Sequence, residues 1–292
     1  MEQITVRAYA KINLFLEVLN LRSDGYHNIK TLFQTVDLAD EVSIEKAATD
    51  ITLLCDNLLI PLNKNNLAFK AAELMLQEAK IKMGVKIKIV KNIPVTAGLA
   101  GGSSDAAAVL NGCNVLLKCN FTYKKLAEIA LQLGSDVPFL LKGGMQLGEG
   151  RGELLTELEL LSQLWLVLVI EGEKKSTGSV FKTFKKTSTK PPIFDKTIKY
   201  CLAKNTFNKV ELVQILHNDL EVPAGKLFPE ILKVKEELRK AGARGVLMSG
   251  SGPAVFGLAY TKSEAEKIAA KLKIKYEKVL ITKTIKPQRL GE

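Results

Sequence analysis

The stretch Pro94-Val-Thr-Ala-Gly-Leu-Ala-Gly-Gly-Ser-Ser-Asp105 runs straight into the alanine-rich segment Ala106 to Leu117. It reads as a phosphate cradle. Glycines at 98, 101 and 102 allow positive φ and close backbone approach, so several N–H groups can converge on an anion. Ser103 and Ser104 fall where a helix begins, and their hydroxyls join the unpaired amides at the positive end of the helix dipole. No lysine follows the glycines, which excludes the G-x-x-x-x-G-K-[ST] loop, and the spacing also misses G-x-G-x-x-G. The plainer reading, a glycine-rich turn with a serine N-cap, stays open on this segment alone.

Working outward, Val85 to Val90 alternates as a strand and leads into the loop, so the cradle sits between a strand and a helix. Upstream, Lys11 to Leu19 also alternates: Ile12, Leu14, Leu16 and Val18 share one face, and Lys11, Asn13, Phe15 and Glu17 the other. Arg22-Ser-Asp-Gly25 is a turn, followed by Tyr26-His27 and extended stretches at Ile29–Val36, Glu41–Lys46 and Ile51–Cys55. An amphipathic helix starts near Asn66, a ready N-cap. Downstream, Tyr123–Leu133 is a helix stopped by Gly134. Ser135-Asp-Val-Pro138 opens a short new one, with Ser135 as cap and Asp136 at its N-terminal end.

The second half opens with an apolar strand at Leu164–Ile170. A lysine-rich loop and short helix follow around Ser176–Lys186, and longer helices near Val210–His217 and Phe228–Ala241. Strands at Gly245–Met248 and Ala254–Leu258 flank a second glycine turn, Ser249-Gly-Ser-Gly-Pro253. Ser263 and Glu266 form a capping box for a helix to Leu272, and Val279–Ile285 is a last strand. This order predicts an α+β protein whose antiparallel sheet carries helices on one face. With 292 residues the chain has room for two domains, divided as 1–160 and 161–292.

Composition narrows the function classes. The most apolar run, Leu154–Ile170, is interrupted by Glu157, Glu159, Ser162 and Gln163, so it cannot span a bilayer. The N-terminus lacks the features of a signal peptide, and the expected location is cytoplasmic. Cysteines 55, 113, 119 and 201 form no C-x-x-C, and two histidines are too few for a zinc site. A formal charge of +11 suits an anionic partner. The lysines alternate along strands (Lys86, Lys88) or sit on helix surfaces (Lys233, Lys271), without an Arg-rich arm or aromatic interleaving, so nucleic acid is not expected.

Three blocks in this order, Ala10-Lys-Ile-Asn-Leu14, the Pro94–Ala107 loop and Ser249-Gly-Ser-Gly-Pro253, resemble the GHMP small-molecule kinases over essentially the whole chain. Arg22-Ser-Asp-Gly-Tyr-His27, Leu133-Gly-Ser-Asp-Val-Pro-Phe139 and Asn218-Asp-Leu-Glu221 resemble most the members acting on 4-diphosphocytidyl-2-C-methyl-D-erythritol (CDP-methylerythritol) in non-mevalonate isoprenoid synthesis. The resemblance implies an α+β GHMP kinase fold: an N-terminal domain like the second domain of ribosomal protein S5, a ferredoxin-like C-terminal domain, and an active site between them. It implies ATP as phosphoryl donor with Mg²⁺, whose protein ligand it does not assign, a small-molecule substrate, and a monomer or homodimer.

Residue by residue, the resemblance implies that Pro94, Gly98, Leu99, Ala100, Gly101, Gly102, Ser103 and Ser104 bind the ATP phosphates, with Asn66 and Lys91 lining the nucleotide site. Glycine is common in the family where Ala100 stands, and alanine there implies a negative φ. Asp136 is the expected proton acceptor and Lys11 the cation beside it. Their plain alternatives are a capping aspartate and a solvated strand lysine. Asn13 and His27 are expected to hold the substrate, Tyr26 and Phe181 to sandwich the cytosine with Phe184 as the alternative in register, and Ser249, Gly250, Ser251 and Gly252 to support loop and substrate.

Overall fold

The computed structural model describes residues 2–172, 177–184 and 192–287. The first half runs β1 (Gln3–Leu21), β2 (His27–Ala47), β3 (Ile51–Cys55), α1 (Leu67–Glu78), β4 (Gly84–Val90), α2 (Gly101–Leu116), α3 (Tyr123–Leu133), α4 (Val137–Leu140), β5 (Met145–Glu149) and β6 (Leu154–Leu160). The second continues with β7 (Trp165–Val169), α5 (Thr177–Thr183), α6 (Pro192–Lys204), β8 (Thr206–Phe207), α7 (Lys209–Ile215), β9 (His217–Asn218), α8 (Glu221–Leu227), α9 (Glu230–Ala241), β10 (Val246–Met248), β11 (Val255–Ala259), α10 (Lys262–Leu272) and β12 (Val279–Lys283).

Two sheets result. The larger has the order β3-β4-β2-β5-β6-β8, with β1 on β2 and β9 on β1. The smaller is antiparallel in the order β10-β11-β7-β12. With α9 and α10 packed against it, this second sheet is the expected ferredoxin-like layer. Residues from the two halves interdigitate in one core: Ile12, Leu14 and Phe15 of β1 cluster with Leu166 and Leu168 of β7 and Phe256 of β11.

Several local expectations change. The two stretches read as separate strands at 29–36 and 41–46 are one long strand, β2, which pairs with β1 over nearly its whole length. The alternation in β1 holds through Asn13 and then slips. Asn13 pairs with Phe33 and Phe15 with Leu32, so Leu14 is bulged and Phe15 turns into the core instead of sharing a face with Lys11. The α10 cap lies two residues earlier than predicted: Thr261 accepts from the Glu264 amide, and Glu264 accepts from Tyr260 N. His217 is not the end of a helix; it lies in β9, parallel to β1.

The helix α2 is buried on nearly every side, with Ala106, Ala107 and Ala108 against β1, β2 and α1. An alanine-rich helix allows that close packing, and burial all round fits its lack of a polar stripe. Its N-terminus is thereby held rigidly where the loop delivers it.

Candidate active site

A cleft of about 1120 Å³ opens at the N-terminus of α2, lined by Lys11, Tyr26, His27, loop residues 94–98 and 100–103, Asp136, Phe181 and Gly250 among others. Its floor is the glycine-rich loop. Leu99, itself buried, gives its carbonyl to Lys11 N at 3.1 Å, so the loop is stitched to β1. On the other side Ala97 O accepts from Ala254 N at 2.9 Å and Gly98 O from the Ser249 hydroxyl at 3.0 Å. The two glycine motifs therefore hold each other. A side chain at Gly98, where φ is +84°, would meet Ser249 O at 2.5 Å, so both conformation and contact require glycine there.

Gly98 is the only one of the three loop glycines with positive φ; Gly101 and Gly102 are the first residues of α2. The residue that completes the left-handed turn is Ala100, at φ 58° and ψ 31°, which corrects the expectation of a negative φ. The turn is fixed by the helix that follows, and alanine enters the left-handed region at a cost of about 1–2 kcal/mol. Intrahelical bonding starts with Ser104 N to Ala100 O. The amides of Gly101, Gly102 and Ser103 precede it and are the donors that helix geometry leaves for an anion. Ser103 lines the cleft, whereas Ser104 is buried and its hydroxyl donates to Tyr9 O at 2.6 Å, turned away from the cradle.

Asn66 caps α1 as read, accepting from Ala68 N at 2.8 Å and donating to Pro61 O at 3.0 Å. Both ends of its amide are engaged, and it is the next residue, Leu67, that lines the cleft with Ile60. Lys91 also lines it, its ammonium bonded to Asp40 and, at 2.7 Å, to Asp105.

Opposite the loop, Lys11 is buried and its Nζ donates to Asn13 Oδ1 at 2.7 Å, with Asp136 Oδ2 at 3.8 Å. Asn13 in turn donates to Thr31 Oγ1 at 2.7 Å, and the Thr31 hydroxyl donates to Phe15 O at 2.7 Å. The Phe33 ring, 5.3 Å from Nζ, backs the ammonium. Asn13 thus orients the lysine as much as it faces a ligand. Asp136 occupies the N-cap position of α4 but makes no side-chain cap bond, so Ser135 is not the cap and the Asp136 carboxylate is left at the cleft, about a third exposed (36%).

At the far end, the His27 ring stacks on Phe181 with centroids 5.8 Å apart and meets Phe184 edge-on at 6.1 Å. Both phenylalanines line the cleft. Tyr26 stands exposed at the rim with the Arg151 guanidinium 5.3 Å from its ring centre. In this arrangement Phe181 faces His27, not Tyr26, and an aromatic sandwich with Tyr26 requires Phe181 or Phe184 to shift.

No role was read from the sequence for Arg151, Asn218 or Glu221. Asn218 Nδ2 donates to Met248 O (2.9 Å) and Gly250 O (2.8 Å), and Glu221 accepts from Met248 N at 2.9 Å. These side chains hold the second glycine turn. A side chain on Gly250, at φ +56°, would approach Lys11 Nζ to 3.6 Å. The signal for Arg151 was its place in Gly148-Glu-Gly-Arg-Gly152, a lone cation within a glycine-rich turn.

Comparisons with known proteins point to one family. The pattern for the GHMP kinases N terminal domain matches residues 66–144 and that for GHMP kinases C terminal matches residues 198–278. The chain belongs to the GHMP kinase family, and is an ATP-dependent small-molecule kinase. Within the family, it is 42% identical to the 4-diphosphocytidyl-2-C-methyl-D-erythritol kinase of Acetivibrio thermocellus, over 98% of this chain and 100% of that one. It is 41% identical to the enzyme of the same name from Moorella thermoacetica, again over 98% and 100%. A crystal structure of 4-(cytidine 5'-diphospho)-2C-methyl-D-erythritol kinase superposes with a TM-score of 0.80 at 35% identity, covering 96% of this chain and 99% of that one.

Proposed function

We propose that the chain transfers the γ-phosphoryl group of ATP to the 2-hydroxyl of 4-diphosphocytidyl-2-C-methyl-D-erythritol, giving the 2-phosphate and ADP. The observation that carries the chemistry is the Lys11–Asp136 pair, 3.8 Å apart, facing the glycine-rich loop across one cleft. The substrate oxygen attacks the γ-phosphorus, the bond to the β-bridging oxygen breaks with its electron pair leaving on ADP, and the hydroxyl proton passes to Asp136. Lys11, fixed by Asn13, orients the carboxylate and offsets negative charge on the attacking oxygen. The amides of Gly101 to Ser103 hold the phosphates, so the protein supplies mainly positioning and charge.

Among the described residues no group of three or more His, Cys, Asp or Glu is gathered to hold a metal. Mg²⁺ would then be carried on the nucleotide phosphates and water, a coordination this ion accepts, and would neutralise phosphate charge. His27, Phe181, Phe184, Tyr26 and Arg151 form an aromatic and cationic end of the cleft suited to a cytosine ring. The nucleotide half of the reaction falls to residues 1–160, and residues 161–292 close the substrate side.

Asp136→Asn keeps the shape and removes the base. It should lower kcat by about 10²–10⁴-fold while MgADP binding, followed by calorimetry, stays close to wild type. Wild-type turnover in that variant would remove Asp136 from the mechanism.

A further inference from the structure

Behind the phosphate loop lies a buried charged cluster that the transfer step does not use. Asp40 of β2, Lys91 after β4 and Asp105 of α2 meet with side-chain exposures of 0%, 4% and 5%. Asp40 also accepts from the amides of Asn92 (2.6 Å) and Ile93 (2.7 Å), so it ties the entry of the loop to the sheet. Lys91 Nζ lies 3.3 Å from where a side chain on Gly101 would start, directly beneath the first residue of α2. Two carboxylates share one ammonium, and Asp105 Oδ1 has no hydrogen-bond partner. A buried carboxylate oxygen without a donor beside a second carboxylate is far better accommodated with a proton on it.

We propose that Asp105 is a positioning residue for the nucleotide, and that a nucleoside polyphosphate settling on the loop is accompanied by proton uptake at Asp105. This role holds only if the loop is the phosphate site proposed above. When both carboxylates are ionised the cluster carries a net negative charge about one helical turn from the incoming phosphates. Protonation makes it neutral and leaves Lys91 paired with Asp40 beneath the cradle. Burial, ahead of the opposing effect of Lys91 and reinforced by the charge of Asp40, pushes the Asp105 carboxyl up to about 7, so the proton is exchangeable in the working range. The other titratable groups around the cluster are Asp56, which accepts from Lys91 N at 2.9 Å, and Cys55 at the end of β3, whose thiol burial pushes up. From the α1 side the contact with α2 is made by buried alanines 68, 71 and 72.

The sign follows from charge. Phosphate above the cluster disfavours the Asp105 anion, so its proton affinity rises on binding, and nucleotide affinity falls as pH rises through about 7 and levels off once Asp105 is ionised in both states. The test is calorimetric titration of the full chain with ADP under saturating Mg²⁺, in buffers of different ionisation enthalpy, for wild type and Asp105→Asn. Wild type should take up as much as about half a proton per site near neutrality and lose about three- to tenfold in affinity over the alkaline limb. Asp105→Asn should show neither effect. Equal proton uptake in the two proteins overturns the proposal. Wild type failing to bind MgADP at all overturns instead the reading of the loop on which it rests. Should the variant fail to fold, wild type decides alone: a bell-shaped uptake centred a little above pH 7 supports Asp105, and a flat one refutes it.

Discussion

Ala100 sits at a backbone conformation that glycine adopts freely and alanine does not, in the turn that launches α2. Ala100→Gly should therefore raise stability by about 1 kcal/mol, the strain relieved less the entropy that glycine adds to the unfolded chain. Reversible denaturation by urea measures it, and a loss of stability would mean that the methyl group makes contacts outweighing the strain. At this scale the sequence told which residue types were present but not their φ. Glycines 98, 101 and 102 were read as free to take positive φ; only Gly98 does, and the other left-handed positions of the loop fall on Thr96 and Ala100, because the start of α2 at Gly101 takes two glycines into the helix. The Lys11–Asn13 contact was legible, since a strand puts alternate residues together. That Asn13 accepts from Lys11 and donates to Thr31 depends on the partner strand, which no local pattern specifies.

At the scale of elements, the cradle is not one loop but two glycine turns bonded through Gly98 O and Ser249, with Asn218 behind them. Asn218 is buried and its side chain meets Met248 O, Gly250 O and Leu220 N, so Asn218→Ala leaves two carbonyls and an amide short of partners. Stability should fall by roughly 2–4 kcal/mol, and kcat should fall with it because Gly250 then shifts beside Lys11. Denaturation and steady-state kinetics on the same preparation check both, and an unaltered kcat in a destabilised protein would confine Asn218 to a structural role. The long helices and alternating strands were readable because periodicity over ten residues is a strong signal. The two-residue strands β8 and β9 were not, since no period fits in so short a segment; β9 exists because Asn218 and its neighbours are held against β1 by long-range bonds.

Across the whole molecule, the cleft forms because the core is shared: residues of β1 pack against β7 and β11, and the β1 segment carrying Lys11 meets the loop from one side and the second glycine turn from the other. No described helix is long and apolar enough to cross a membrane. The architecture was legible from the order of motifs and the resemblance they carry. The aromatic end of the cleft was only partly so, since which ring faces which depends on how α5 lies across His27. Substrate choice and phosphate transfer are both read in one measurement: ADP release followed by a coupled assay, with CDP-methylerythritol, mevalonate and homoserine offered separately. Turnover confined to CDP-methylerythritol is the predicted result; turnover on mevalonate or homoserine with none on CDP-methylerythritol would contradict it.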